Sequence, residues 1–285
     1  MAGLLAERGH VEVELVVVET AGDRSQAAGT PIWQVGGQGV FVKEVQAAVL
    51  DGRADLAVHS GKDLPSNPDL QPDGLVIAAV PERGDPRDVL VGRRLDDLPP
   101  GATVATGSVR RRAQLADLRP DLTFAELRGN IDTRLAKAQA FGAVVLAVAA
   151  LQRLGREEHI AEVLDPSVML PQVSQGALAV ECRADDDATR ALLAAIEHGP
   201  SRRAVEAERG YLAGLGGGCD LPAGAYAEVA DDGSIRLRTL LATLDGRIVL
   251  RHEVTGGPGD DPWALGVAAG DQLLDERGGR HLLAG

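Results

Sequence analysis

A short, mostly apolar run at Ala54–Val58 is followed by five residues that carry four kinds of polar group, His59-Ser60-Gly61-Lys62-Asp63. The run predicts a β-strand, and ligands of α/β sheets bind beyond the ends of strands. Asp63 is therefore a candidate general acid or base, because a carboxyl group can exchange a proton with a reacting group. The alternative is a plain turn in which Asp63 pairs with Lys62, and the segment by itself leaves both interpretations open.

A second candidate site lies at the start of a predicted helix that runs from about Ser108 to Leu118. Ser108 has the side chain of an N-cap, which is its structural interpretation. Arg110 and Arg111 oppose the helix dipole in the first turn. That placement makes sense if an anion lies on the helix N-terminus and the two guanidinium groups close around it. The pattern favours an anion site over a solvated helix face.

Two more arginines follow the next predicted strand. Arg128 precedes Gly129-Asn130, and Arg134 lies six positions after Arg128, beyond a loop and inside a helix. A carboxylate-binding role and a solvated surface are equally compatible with this pattern.

The two cysteines have different surroundings. Cys182 ends an apolar run that begins at Ala177, which predicts a core position. Cys219 follows three glycines and precedes Asp220, so its loop can bring the backbone close to another group. The thiol is incidental, a nucleophile or an attachment point. A metal site is not indicated, since no Cys or His partner has ligand spacing.

Strands and helices alternate in two blocks that meet near residues 80–88, which predicts parallel α/β sheets. The predicted strands are Val11–Glu19, Ala54–Val58, Leu75–Val80, Thr103–Ala105, Leu122–Ala125 and Val144–Ala149. The predicted helices follow the glycine loop Gly36–Gly39 as far as Asp51-Gly52, and cover Ser108–Leu118 and Asp132–Ala140.

After residue 200 the pattern changes to a small antiparallel α+β module. A helix at about Arg202–Ala213 precedes the Cys219 loop, and a last helix covers about Pro262–Leu274. Between them the predicted strands are Ala223–Val229, Ser234–Thr243 and Arg247–Val254, with Asp-Gly turns at Asp232-Gly233 and Asp245-Gly246.

Composition limits the class of protein. The 285 residues predict two or three domains, and 45% hydrophobic residues exclude wholesale disorder. A net charge of −13 and only 2% aromatic residues argue against nucleic-acid binding. No apolar run is long enough to span a membrane, and the two cysteines with no signal-peptide pattern favour the cytoplasm. Residues 101–137 carry seven basic and four acidic residues, so this cationic stretch predicts a small polyanionic ligand.

Five blocks of the chain form a recognisable pattern when they are taken in order. Four are Gly36–Pro65 (GGQGVFVKEVQAAVLDGRADLAVHSGKDLP), Glu82–Val91 (ERGDPRDVLV), Thr106–Leu135 (TGSVRRRAQLADLRPDLTFAELRGNIDTRL) and Leu170–Arg183 (LPQVSQGALAVECR). The fifth, Glu208–Tyr226, contains the loop GGGCDLPAGAY. In residues, order and spacing, kept across nearly the whole chain, these blocks resemble the porphobilinogen deaminase (hydroxymethylbilane synthase) family.

The resemblance implies an enzyme that joins four porphobilinogen units head to tail with release of ammonia, giving hydroxymethylbilane for tetrapyrrole synthesis. It implies a dipyrromethane cofactor held by a thioether to Cys219, and a catalytic carboxyl at Asp63. The cofactor contacts that it implies are Lys62, Ser108, Arg110, Arg111 and Asp23. The substrate contacts that it implies are Arg128, Arg134, Arg153 and Phe41. Leucine at Arg110 or Arg111 is then expected to leave stability near normal and to abolish cofactor assembly or chain elongation.

The same resemblance implies two α/β domains similar to periplasmic binding proteins plus a small C-terminal α+β domain with an antiparallel sheet. The expected boundaries are 1–80 with 172–198 for the first domain, 81–171 for the second and 199–285 for the third. We expect a cytoplasmic monomer that takes porphobilinogen as a small-molecule substrate, with no metal, nucleic-acid or membrane partner.

Three features depart from the family pattern. The family begins with a strand and a loop reading Arg-x-x-Thr-Arg-x-Ser-Pro-Leu-Ala, whereas Met1 opens in what would be the following helix. Gln34 and Gln38 stand where many members have Lys, and Gly61 replaces a larger apolar residue. The alternative functions are therefore an anion-binding module without catalysis and an inactive family member that lacks its N-terminal segment.

Overall fold

A computed structural model describes residues 1–20, 42–217 and 221–283 of the chain. The helices of this part are α1 (Ala2–Gly9), α2 (Lys43–Leu50), α3 (Val109–Leu118), α4 (Ile131–Lys137), α5 (Val148–Arg153), α6 (Asp187–Leu193), α7 (Gly199–Gly214), α8 (Pro262–Asp275) and α9 (Arg280–Leu283). The strands are β1 (Leu56–Ser60), β2 (Leu75–Ala79), β3 (Asp88–Gly92), β4 (Thr103–Ala105), β5 (Thr123–Ala125), β6 (Ala143–Ala147), β7 (Ile160–Leu164), β8 (Leu178–Arg183), β9 (Ala223–Val229), β10 (Ile235–Ala242) and β11 (Val249–Gly256). No described helix is both long and apolar enough to cross a membrane.

The first lobe is built on a three-stranded sheet with the order β1-β8-β2. β8 lies between the other two strands and is antiparallel to both, with Val58 opposite Val180 on one side and Val76 opposite Cys182 on the other. The predicted parallel pairing is therefore wrong here, because the chain leaves this lobe and returns from the opposite direction to insert β8. Cys182 is fully buried, as predicted.

The second lobe contains a five-stranded sheet with the order β5-β4-β6-β3-β7. β4 pairs in parallel with β5 and β6, whereas β3 is antiparallel to β6 and β7, so the sheet is mixed. Aliphatic side chains form its core on both faces. The strand predicted at Val144–Ala149 ends at Ala147, and α5 begins at the next residue. The end of the strand and the start of the helix are both buried, and a short apolar run in the sequence fits a buried strand and a buried helix equally well.

The C-terminal module has the predicted antiparallel sheet, in the order β11-β10-β9, packed against α7 and α8. These two helices approach so closely that a Cβ atom on Gly266 would lie 2.0 Å from the carbonyl oxygen of Ala207. Glycine is required at this contact. The mixed α/β architecture with a C-terminal α+β module is thus confirmed, while the domain boundaries stay a prediction.

The segment Val11–Glu19, predicted as a half-buried strand, has no regular secondary structure. Val11 and Val13 pack on a core cluster with Leu5, but Val17 is 94% exposed. A strand needs a neighbouring backbone as well as alternating side chains. No described strand pairs with this segment.

Two chain segments connect the lobes and are tied to each other. The Gly84 amide donates a hydrogen bond to the carbonyl of Gly176 at 3.2 Å. Gly176 has a positive φ of 85°, and a Cβ atom there would lie 2.6 Å from the Gly84 carbonyl oxygen. Arg83 joins the same crossing to α7 through a buried ion pair with Glu208 at 2.6 Å. The crossing therefore fixes the first and second lobes against the C-terminal module.

Candidate functional site

A single 3₁₀ turn, Gly61–Asp63, carries the predicted catalytic group at the end of β1. The Gly61 amide donates to the carbonyl of Ala177 at 2.9 Å, which ties the turn to the interlobe crossing. A Cβ atom on Gly61 would meet the Cβ of Ser174 at 3.1 Å, so the small residue fits tight packing. From α7, the Arg209 guanidinium donates to the carbonyls of Leu64 and Pro65 at 3.3 and 2.7 Å. Both ends of the turn are held.

Asp63 reaches solvent, yet protein atoms crowd its carboxyl group. Partial loss of hydration raises its pKa, and the positive charges of Lys62, His59 and Arg153 oppose that rise. A raised carboxyl pKa keeps more of the protonated form near neutral pH, which is what a general acid requires. Asp63 therefore has the electrostatics of a proton donor.

Lys62 connects this turn electrostatically to the second lobe. Burial lowers its pKa; Asp63 and Asp88 oppose the change, while Arg111 and Arg110 add to it. Asp88, Arg110 and Arg111 belong to the second lobe and act on Lys62 across the space between the lobes. The turn after β1 and the start of α3 therefore present their charged groups to one site.

Arg110 and Arg111 are buried side chains that share one carboxylate, Asp88. Nη1 of Arg110 lies 2.8 Å from Oδ2 of Asp88, and Nη2 of Arg111 lies 2.8 Å from Oδ1. Arg111 also donates to the Val145 carbonyl at 2.9 Å, and Gln175 donates to Oδ1 of Asp88 at 2.9 Å. Burial would raise the pKa of Asp88, but the two guanidinium groups outweigh it and lower the pKa to about 2. The cluster retains one uncompensated positive charge.

Arg110 has unused donors within this cluster. Its Nη1 serves Asp88 and the Leu170 carbonyl, but its Nε and Nη2 are buried without a hydrogen-bond partner. Buried donors are rarely left unpaired in native proteins. Two N–H groups on one edge of a guanidinium match a carboxylate. Both donors are therefore available to an anion at the start of α3, where the sequence predicts an anion site that stays a prediction.

Ser108 and Arg134 extend the site. Ser108 is the N-cap of α3, since its Oγ accepts a hydrogen bond from the Arg111 amide at 3.4 Å, and its own hydroxyl proton can still be donated. Arg134 is half-buried, and Nε donates to the Gly129 carbonyl at 2.7 Å. Burial and then the charge of Arg111 lower the pKa of Arg134, which places the two arginines in one electrostatic neighbourhood.

Arg128 and Arg153 are exposed. Arg128 pairs with Glu126 at 3.2 Å on the surface. Arg153, at the end of α5, donates to the Gly176 carbonyl at 3.2 Å and acts on Asp63. Arg153 therefore lies in the electrostatic neighbourhood of Asp63, whereas no contact among the described residues joins Arg128 to the other predicted site residues.

Several predicted positions lie outside the described residues. They are the cofactor anchor Cys219, the contacts Asp23 and Phe41, and the two departures Gln34 and Gln38. Of the described residues, no group of three or more His, Cys, Asp or Glu side chains forms a metal site.

Sequence reasoning missed Asp88, Gln175 and Arg209. Asp88 begins an otherwise apolar strand inside the family block Glu82–Val91, so an acidic residue in a buried strand was the available signal. Gln175 and Arg209 had no local signal, because their partners lie far away in the sequence.

Fold and site together define a two-lobed α/β protein in which cationic side chains surround a carboxyl group with a raised pKa. The profile "Porphobilinogen deaminase, dipyromethane cofactor binding domain" matches residues 1–191, and "Porphobilinogen deaminase, C-terminal domain" matches residues 202–275. The chain is 45% identical over 273 residues to a porphobilinogen deaminase of Brevibacillus brevis, covering 94% of this chain and 86% of the relative. The chain belongs to the porphobilinogen deaminase family.

Two solved structures resemble the chain more distantly. The periplasmic VFT2 domain of Bordetella pertussis BvgS is 20% identical with a TM-score of 0.38, over 68% of this chain and 73% of that one. An amino acid ABC transporter substrate-binding protein of Streptococcus pneumoniae is 17% identical with the same TM-score and the same coverage of both chains. At these scores the likeness supports no conclusion about this chain.

Proposed function

We propose that Asp63 is the proton donor of this enzyme and that the surrounding cations hold the carboxylates of cofactor and substrate. As a porphobilinogen deaminase, the chain is a hydroxymethylbilane synthase, a transferase of tetrapyrrole biosynthesis with a dipyrromethane cofactor. The observation that carries the residue assignment is the meeting of the Lys62–Asp63 turn with the Arg110–Asp88–Arg111 cluster, in which Arg110 keeps two buried donors unpaired.

The residues present fit a cofactor that bears several carboxylates. Arg110 offers Nε and Nη2, Ser108 offers its hydroxyl proton, and Arg111 and Lys62 add positive charge beside them. When bound, the dipyrromethane supplies the pyrrole to which the first substrate unit is joined. Cys219 is its proposed point of attachment, on the loop between α7 and β9. The positive cluster is built before binding, so little reorganisation is needed to receive the anion.

Asp63 acts on the substrate. Its protonated carboxyl group donates a proton to the amine of porphobilinogen, which leaves as ammonia. The carboxylate that results then stabilises the positive charge on the electron-poor pyrrole until the bond to the next unit forms. The attacking pyrrole carbon loses its proton in that step, and the Asp63 carboxylate accepts it. Arg134 and Arg153 hold the substrate carboxylates, with Arg153 close enough to act on Asp63.

Replacement of Asp63 by Asn tests the proton donor. Asp63→Asn keeps the shape but removes the acid, so ammonia release and product formation should fall by roughly 10²–10⁴-fold. Asp69→Asn is the matched control, because Asp69 is an exposed aspartate of the nearby 3₁₀ turn Pro68–Leu70. Near-normal turnover of Asp63→Asn would eliminate the assignment, and porphobilinogen binding without ammonia release by the unmodified chain would indicate a binding module.

Mass spectrometry of the loaded enzyme tests the anchor. The Cys219 peptide should carry an adduct of dipyrromethane mass, and the peptide with buried Cys182 should carry none. Full activity with an unmodified Cys219 would refute the attachment.

We further propose that the enzyme works in the cytoplasm as a monomer on porphobilinogen alone, with the domain boundaries given above. The net charge of −13 argues against a nucleic-acid partner. Light scattering of the loaded enzyme should give a mass near 29.7 kDa, and a stable dimer would contradict the monomer.

A further inference from the structure

Arg209 is a buried arginine of α7, and two of its hydrogen bonds reach the first lobe. Its Nη2 donates to the Pro65 carbonyl at 2.7 Å, and its Nη1 donates to the Leu64 carbonyl at 3.3 Å. Both acceptors follow Asp63 directly in the sequence. A helix that packs in the C-terminal module therefore holds the backbone that carries the proposed proton donor.

The first lobe holds the same backbone through contacts of its own. The Leu64 side chain is 2% exposed and packs with Ala179. The Pro65 carbonyl accepts a second hydrogen bond, which Nε2 of Gln71 donates at 2.7 Å. Loss of the Arg209 guanidinium would therefore leave Leu64 packed and Pro65 bonded, while the connection of this backbone to α7 would be removed.

Glu208, the preceding residue of α7, fixes the helix to two other parts of the chain. Its Oε2 accepts a hydrogen bond from the Ser174 amide at 2.7 Å, beside the interlobe crossing. Its Oε1 accepts one from the Ala227 amide of β9 at 2.9 Å. α7 and β9 flank the segment that contains Cys219, the proposed point of cofactor attachment. The middle of α7 therefore joins the Asp63 turn to the elements on either side of that anchor.

A fixed connection matters here because the proton donor must meet a substrate unit that is joined to an anchored cofactor. A general acid acts only within hydrogen-bond reach of its target. A displacement of about 1 Å that is caused away from the chemistry can cost about 10²-fold in rate. Arginine suits such a connection, because its planar guanidinium group binds two acceptors at once and loses little side-chain freedom per hydrogen bond.

We propose that Arg209 is a positioning residue that holds the Asp63 turn in place relative to the elements that flank the cofactor anchor. The proposal rests on the proposed roles of Asp63 as the proton donor and of Cys219 as the attachment point. Its consequence is that Arg209 controls the rate of the chemical step while it touches neither substrate nor cofactor.

Hydrogen–deuterium exchange tests the connection without reference to activity. In Arg209→Gln, the backbone amides of residues 61–66 should exchange faster than in the wild type, because the turn loses its contact with α7. Arg203→Gln is the matched control, since Arg203 is another arginine of α7 that donates to two carbonyls, those of Gly257 and Asp260, both at 3.3 Å. It should leave the exchange of residues 61–66 unchanged. Wild-type exchange in Arg209→Gln, or an equal increase in Arg203→Gln, would overturn the proposal even if the proton donor is assigned correctly.

Steady-state kinetics test the effect on the reaction, with rates referred to the primer-loaded fraction that intact-mass measurement gives. Arg209→Gln should lower kcat by about 10–100-fold. KM should stay near the wild-type value, because Arg209 contacts backbone carbonyls and no substrate. A merely structural role would lower the folded fraction and leave the kcat of the folded, loaded enzyme unchanged. Arg203→Gln should keep the wild-type kcat.

Arg209→Lys provides a graded variant. An ammonium group cannot reproduce the planar pair of donors, so this variant should give intermediate exchange and an intermediate kcat. If Arg209→Gln does not fold or does not load primer, Arg209→Lys is measured in its place, and wild-type values of both quantities would overturn the proposal.

The outcomes separate this proposal from the assignment of Asp63. Near-normal turnover of Asp63→Asn would refute the proton donor, and with it the catalytic consequence proposed for Arg209. Loss of turnover in Asp63→Asn together with a wild-type kcat in Arg209→Gln would refute the positioning role alone.

Discussion

The family resemblance implies a carboxylate-binding role for two pairs of arginines, yet the structure places the two pairs in opposite environments. Arg110 and Arg111 are buried around Asp88, whereas Arg128 and Arg153 are exposed. Burial removes hydration from the first pair, so the shared carboxylate is needed to compensate them. The exposed pair keeps its hydration and depends on no such partner. In the proposed site, a carboxylate of the ligand would meet a fixed, partly unsatisfied charge at the buried pair and adaptable charges at the exposed pair.

The contrast corrects one expectation. The sequence predicts near-normal stability for Arg110→Leu and Arg111→Leu. That prediction suits an arginine on the surface, but both of these side chains are buried. Each replacement removes hydrogen bonds to the buried Asp88 carboxylate, while the other arginine still compensates its charge, so we expect a loss of about 1.5–3 kcal/mol in the free energy of unfolding, together with failed primer loading. Urea unfolding and intact-mass measurement check the two effects. Unchanged stability in both variants would show that the cluster is solvated.

Acid should weaken the buried pair selectively. The pKa of Asp88 in the folded protein, about 2, lies below its ordinary value, so the stabilisation is complete above about pH 4 and disappears as pH falls to about 2. The amount is about 2 kcal/mol. Asp88→Asn should lack this contribution. The free energies of unfolding of the wild type and of Asp88→Asn should therefore converge as the pH falls from about 4 to about 2. Curves that stay parallel across that window would contradict the prediction.

A double-mutant cycle sharpens the comparison further. Removing Asp88 and Arg111 together should cost less than the sum of the single losses, because no unpaired charge from this pair remains. Buried ion pairs of this kind couple by about 0.5–3 kcal/mol. Additive losses in Arg111→Leu/Asp88→Asn would mean that the two groups act independently.

The smallest effect on stability is expected at the exposed pair. Arg128→Leu should change the free energy of unfolding by less than about 0.5 kcal/mol. If Arg128 binds substrate, KM should rise about 3–10-fold, which corresponds to roughly 0.7–1.4 kcal/mol. Arg247→Leu, an exposed arginine of the C-terminal module, is the control and should leave both quantities unchanged. An unchanged KM for Arg128→Leu would remove the residue from the site.

Local sequence patterns correctly predicted the features that depend on residues close together in the sequence. The N-cap at Ser108 and the helix after it, the hairpins at Asp232-Gly233 and Asp245-Gly246, and the buried position of Cys182 all have the predicted form. Capping, turn type and apolar periodicity depend on residues within a few positions of one another, so the sequence contains the needed information.

Long-range partners were not predictable in this way. The alternation at Val11–Glu19 did not give a strand, and the insertion of β8 between β1 and β2 made the first sheet antiparallel. Both outcomes depend on which backbone lies alongside, and in the first sheet β1 and β8 are more than one hundred residues apart in the sequence.

By itself, then, the sequence determined the family, the identity of the charged residues and the elements that carry them. Only the tertiary structure decided that Asp88 joins Arg110 to Arg111, and that Arg209 holds the backbone after Asp63. The physical reason is that charge and residue type belong to single positions, whereas burial and pairing belong to pairs of positions. An arginine has the same letter in the sequence whether its guanidinium group is solvated or buried. Only the residues packed around it determine the free-energy cost of leaving that group unpaired.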